Sequence, residues 1–134
     1  MVKRAQEKKL LEVRFVDFRL YALDKHKTTD DRPFGGGPGM VLKPEPIVTA
    51  VEEILGRYPE AKIIMLSPQG KPYNQKIAME MAFNNGQDQQ DIILLCGRYE
   101  GFDERIFEIL KPIEISIGDY VLSGGEVPAM VLID

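Results

Sequence analysis

A chain of 134 residues with 44% hydrophobic and 28% charged content is long enough for one domain with its own core. Its net charge of −4 argues against binding nucleic acid by bulk electrostatics, although Lys3, Arg4, Lys8, Lys9 and Arg14 form one local basic group and Lys25, His26, Lys27 and Arg32 another. The single cysteine excludes an internal disulfide framework and fits a reducing cytoplasm; no apolar run reaches membrane-span length, and no apolar stretch follows the charged start as in a signal peptide.

In chain order, Lys3 to Lys9 reads as the last turns of a helix. Glu12-Val-Arg-Phe-Val-Asp-Phe18 alternates apolar and charged residues and predicts a strand. Lys25 to Met40 is a long loop, rich in glycine toward its end. Glu45 to Arg57 is helical, with Ile47, Val48, Val51, Ile54 and Leu55 at helix spacing. A strand at Lys62 to Leu66 stops at Ser67-Pro-Gln-Gly70. A helix follows from Asn74 to Phe83, with its stop at Asn84-Asn-Gly86. The next strand, Asp91 to Cys96, stops at Gly97-Arg-Tyr-Glu-Gly101. A helix near Phe102 to Leu110 leads to a third apolar strand, Ile113 to Ile117, and a last helix starts at Glu126. Met65, Met79, Met81 and Phe83 read as core. Strands alternating with helices predict an α/β fold with a mostly parallel sheet flanked by helices. The chain starts and stops inside helical patterns, so it reads either as a fragment or as a domain with abrupt ends.

The three apolar strands each open into a glycine-bearing loop. Ligands of open α/β sheets sit in the crevice beyond the carboxyl ends of the strands. Glycine lets backbone approach a ligand closely. The loops after Leu66, Cys96 and Ile117 are therefore expected to converge on one ligand. The Asp30 to Met40 loop can present N–H groups to an anion, but Met40-Val41 follows where a P-loop needs Lys-Ser/Thr. It is either functional or a flexible surface loop. Asp103 and Glu104 read as first-turn acids of the following helix, while Glu100, inside its loop, is the functional candidate. Asp119 either binds a ligand hydroxyl or ammonium or closes an Asx turn. His26 reads as solvated and Cys96 as a small hydrophobe. One histidine and one cysteine make no zinc set, and Ser67 and Ser123 lack a base partner.

Asp-Asp-Arg-Pro-Phe-Gly-Gly-Gly-Pro-Gly-Met (30 to 40), Leu-Ser-Pro-Gln-Gly (66 to 70), Cys-Gly-Arg-Tyr-Glu-Gly-Phe-Asp-Glu-Arg (96 to 105) and Ser-Ile-Gly-Asp-Tyr-Val-Leu-Ser-Gly-Gly-Glu (116 to 126) occur in this order. Together they closely resemble the bacterial tRNA (guanine-N1-)-methyltransferase family, TrmD, of the SPOUT superfamily, over essentially the whole chain. The resemblance implies an α/β knot of trefoil type, a homodimer with active sites at the interface, S-adenosylmethionine as cofactor and tRNA as substrate. The methyl acceptor would be N1 of the guanosine just 3′ of the anticodon.

By motif, Leu66, Ser67, Pro68, Gln69 and Gly70 would line the adenosine side of the cofactor. Gly97, Tyr99 and Glu100 would form a second wall. Ile117, Gly118, Asp119, Tyr120, Val121 and Leu122, with Gly124, Gly125 and Pro128, would supply the knotted loop. Glu100 matches a glutamate tied to methyl transfer and to magnesium dependence. The loop carrying Asp30, Arg32, Pro38 and Gly39 would approach the target guanosine. Guanine N1 carries a proton at neutral pH, so a carboxylate must remove it. The resemblance puts that general base downstream of Asp134. It makes residues 1–134 a single, truncated cofactor-binding domain, lacking the C-terminal tRNA-binding domain. Two other readings remain: a catalytically inactive S-adenosylmethionine-binding fragment or subunit, and a nucleotide-binding domain using Gly35 to Gly39.

Overall fold

The computed structural model describes residues 1–33, 35–83, 90–98 and 101–134. Helix α1 (Val2–Glu7) leads through a 3₁₀ turn (Phe18–Tyr21) to a short antiparallel pair, β1 (Asp30–Asp31) and β2 (Val41–Leu42). Then come α2 (Pro44–Arg57), β3 (Lys62–Pro72), α3 (Gln75–Ala82), β4 (Ile92–Leu95), α4 (Glu104–Leu110), β5 (Ile113–Ser116) and α5 (Glu126–Ile133). Strands β4, β3 and β5 form a three-stranded sheet in that order, with both neighbours parallel to β3.

Alternation along a strand divides its side chains between two faces. Ile63 and Met65 of β3 join Ile93 and Leu95 of β4, packed with Ile47 and Val51 of α2 and Ile106 of α4. Ile64 and Leu66 join Ile115 of β5, packed with Ile77 of α3 and Ala129 of α5. The sheet is thus covered on both faces, as continuous apolar runs require. Ile64, Met65 and Ile106 are fully buried. Each such side chain contributes about 1.5–3 kcal/mol of transfer free energy. From β3 the chain reaches β4 through α3 on one face. It returns across β3 to β5 through α4 on the other face. That reversal opens a crevice beyond the carboxyl ends of the strands.

Local signals start and stop the helices. Pro44 sits in the first turn of α2, where its missing N–H costs nothing. The Asn74 side chain accepts the Ile77 N–H at 3.0 Å and caps α3. Asp103 accepts the Arg105 N–H at 2.9 Å and caps α4, so its role as a helix-start acid holds. Lys111 takes a left-handed conformation after α4, and Pro112 prevents continuation.

Four expectations change. Glu12 to Phe18 is not a strand: Phe15 is 94% exposed, and among the described residues no strand pairs with this segment. Alternation makes a strand only where a neighbour satisfies its backbone and covers its apolar face. Instead the Asp17 carboxylate accepts the Arg19 N–H at 3.0 Å and starts the 3₁₀ turn. The strand expected at Lys62 to Leu66 runs on to Pro72. The long loop before Met40 is not wholly irregular, since Asp30 and Asp31 pair with Leu42 and Val41. Met79 and Phe83 are exposed rather than core, while Met65 is buried and Met81 packs against the second core. The helix stop at Asn84 to Gly86 lies outside the described residues.

Candidate functional site

Three segments enclose a cleft of about 520 Å³ at the carboxyl ends of β3, β4 and β5. Small-molecule sites typically measure about 300–1,000 Å³. The first wall is Leu66, Ser67, Pro68 and Gln69. Here the β3–β5 ladder breaks: Leu66 and Lys71 both pair with Ile115, so Ser67 to Gly70 leave the register. The Ser67 hydroxyl accepts the Gln69 N–H at 3.2 Å and shapes this excursion. Gly70 does not line the cleft. It lies at the foot of the wall, where a Cβ would come 2.6 Å from the Ile115 nitrogen.

The third wall is Ile117, Gly118, Asp119, Tyr120, Val121 and Leu122, continued by Gly124, Gly125 and Pro128. Its first turn is closed by Ser116, whose hydroxyl donates to the Gly118 carbonyl at 2.8 Å and accepts the Gly118 N–H at 3.2 Å. The Asx turn entertained for Asp119 is therefore supplied by a neighbouring serine, and Asp119 stands exposed at the cleft. The Tyr120 ring folds over Gly118, where any Cβ would collide with it. Gly125 is buried, and its N–H donates to the Gly97 carbonyl at 2.8 Å.

The second wall is built from Gly97, Arg98, Gly101 and Phe102. Gly97 leaves room for the Phe102 ring. Tyr99 and Glu100 lie outside the described residues, and with them the magnesium expectation. Among the described residues no group of three or more His, Cys, Asp or Glu could hold a metal ion.

Glu104, Glu114 and Asp119 are among the residues that line the cleft. Arg98 also lines it, and its guanidinium bonds the Glu126 carboxylate through Nε at 2.9 Å and Nη2 at 2.8 Å. That contact holds the Glu126 carboxyl below its usual range. Burial pushes the Cys96 thiol up, and the charge of Glu126 adds to the effect. Cys96 accordingly stays a protonated, half-buried packing group. His26 is exposed, as read from its surroundings.

Asp30, Arg32, Pro38 and Gly39 do not line the cleft. Arg32, Pro38 and Gly39 are exposed and Asp30 is half-buried in β1. The foot of their loop is nonetheless fixed beside the second wall. The Leu42 N–H donates to the Gly101 carbonyl at 2.9 Å, and the Asp103 N–H donates to the Leu42 carbonyl at 3.0 Å. Gly35, Gly36 and Gly39 have positive φ, and Gly35 and Gly36 have open space around them, so these two serve conformation rather than close packing.

Sequence reasoning overlooked Arg98, Phe102, Glu104, Glu114 and Ser116 as parts of this site. Glu114 carried a signal, being a polar residue between two isoleucines of an apolar run. Ser116, two residues before a glycine, carried another. The Arg98–Glu126 contact spans 28 positions and left none.

A family model described as tRNA (Guanine-1)-methyltransferase TrmD matches residues 1–134. A protein named tRNA (guanine-N(1)-)-methyltransferase from Geobacillus kaustophilus is 53% identical over 134 residues, covering 100% of this chain and 53% of the relative. Proteins of the same name from Moorella thermoacetica and Staphylococcus haemolyticus are 52% and 50% identical, each with 100% of this chain and 52% of the relative covered. The chain spans about half the length of the curated relatives it matches.

Proposed function

Because the chain belongs to the tRNA (Guanine-1)-methyltransferase TrmD family, we propose that it is the S-adenosylmethionine-binding domain of an enzyme that methylates N1 of the guanosine 3′ of the anticodon in tRNA. The observation that carries this is the convergence of three motif segments on one cleft. The cleft fits the cofactor in size and in surface. Leu66, Ile117 and Pro128 offer apolar contact, and the stretch around Gly118 offers backbone groups to a purine edge. Glu104, Glu114 and Asp119 put negative potential where a cationic donor would sit.

When bound, S-adenosylmethionine supplies an electrophilic methyl group on a sulfonium. The chain's own work is binding and orientation. The first and third walls grip the adenosyl part. The Asp30 to Gly39 loop, fixed at Leu42 beside Gly101, reaches for the guanosine. By the motif resemblance, Glu100 would serve methyl transfer. The N1 proton leaves to a carboxylate, which the resemblance puts beyond Asp134 with the tRNA-gripping domain and the closing pass of the trefoil.

The same reading makes the protein a cytoplasmic homodimer. Helix α5 supports the interface alone: Val127, Met130 and Val131 are exposed on a helix that is apolar between its acidic ends. No helix among the described residues is long and apolar enough to cross a membrane.

Calorimetric titration with S-adenosylhomocysteine tests the binding half, alongside Gly118→Trp. Binding in the parent and none in the variant is the expected result; an unchanged variant sinks the cleft assignment. Labelled methyl transfer to tRNA carrying guanosine or adenosine at the target position tests the rest. The second reading is a catalytically inactive S-adenosylmethionine-binding fragment or subunit. Cofactor binding with no transfer to either tRNA would select it.

A further inference from the structure

We propose that Arg98 and Glu126 form a positioning clasp that presses the glycine wall onto the segment after β4 and so sets the affinity of the cleft. The proposal rests on the cofactor reading above. Three contacts join the two segments side by side. Arg98 and Gly124 form an isolated antiparallel bridge. The Gly125 N–H donates to the Gly97 carbonyl at 2.8 Å. The Arg98 guanidinium places Nε and Nη2 on one Glu126 oxygen, at 2.9 and 2.8 Å.

The carboxylate is also where the wall needs it. A Cβ at Gly124 would fall on Glu126 Oε2, so the Glu126 side chain lies against the backbone of the wall. Gly125 has backbone on its far side, with Cys96 Cα 2.7 Å from any added Cβ. The wall is therefore held between the β4 segment behind it and a tethered carboxylate in front. Gly97, Arg98, Gly124 and Gly125 line the cleft, whereas Glu126 does not. Glu126 thus bears on the cleft from outside it, through Arg98 and through the Gly124 backbone that its carboxylate lies against. The side chains are 66% and 53% exposed, so the pair is solvent-screened and its effect modest.

The test compares the parent chain with Glu126→Gln, Arg98→Met and the charge-reversed pair Arg98→Glu with Glu126→Arg. Two quantities are read: the calorimetric Kd for S-adenosylhomocysteine, and hydrogen exchange at the Gly125 amide. Both single variants should weaken binding roughly two- to fivefold, the span of an exposed ion pair, and should speed exchange at Gly125. The reversed pair should recover most of both. Unchanged affinity in Glu126→Gln overturns the clasp. Failure of the reversed pair to recover overturns it in favour of direct contact between Arg98 and the ligand. A parent chain that gives no heat overturns the cofactor reading instead. The clasp is then decided by Gly125 exchange, and equal rates in parent and Glu126→Gln reject it.

Discussion

A methyl group added at Gly125 would land 2.7 Å from Cys96 Cα and 2.9 Å from the Gly97 nitrogen, both backbone atoms of the adjoining segment. Neither can swing aside as a side chain would. Gly125→Ala should therefore lower stability by about 1–3 kcal/mol, the usual cost of overpacking. At Gly37 the same methyl meets nothing within 4 Å and φ is not positive. Gly37→Ala should stay within about 0.5 kcal/mol of the parent. Urea denaturation of the two variants checks the contrast, and equal losses would mean that the wall is softer than its contacts. The Gly124-Gly125 pair was readable in the sequence because glycine after an apolar strand signals close approach. The partner it approaches was not, because sequence distance says nothing about which loops a sheet brings together.

Helix α4 shows how one element draws on pH. Arg105 bonds both oxygens of Asp103, at 2.9 and 3.0 Å, and holds that carboxyl below its ordinary value of 3.8. A carboxyl lowered in the folded state adds stability above its unfolded pKa. The contribution is lost as pH falls through the lowered folded value. Asp103→Ala should cost about 0.5–2 kcal/mol near neutral pH, as loss of a helix cap does. The gap between variant and parent should narrow below 3.8. Urea midpoints of both proteins across the acid range measure it, and a gap independent of pH would assign the cap to shape rather than charge. The helices were readable because caps and apolar spacing are local. Glu12 to Phe18 misled because strand formation depends on a neighbour, and alternation cannot report whether one is present.

Across the whole molecule, protection should follow cover. Ile64 and Met65 of the central strand have a partner on each side, Leu66 pairs with Ile115, and all three are buried. Residues 11–17 belong to no strand or helix, and Phe15 is exposed. Native-state hydrogen exchange should find the slowest amides in β3 and near-unprotected amides at 11–17. Comparable protection in the two regions would show that the early segment has a partner. The α/β class and the cleft at the strand ends were both readable, since alternating elements and three glycine loops suffice for them. The order β4–β3–β5 was not, because it depends on which face each connecting helix takes.

The doubled pairing of Ile115 has a consequence for change over time. Leu66 and Lys71 flank the Ser67 to Gly70 excursion and share that one partner. The sheet register on either side is fixed by the two pinned ends, independent of how many residues lie between them. Residues could be gained or lost within this excursion without shifting a side chain of β3 to the wrong face. The first wall is in that sense an interchangeable cassette. Its chemistry can drift or be redesigned while the scaffold that presents it stays in register.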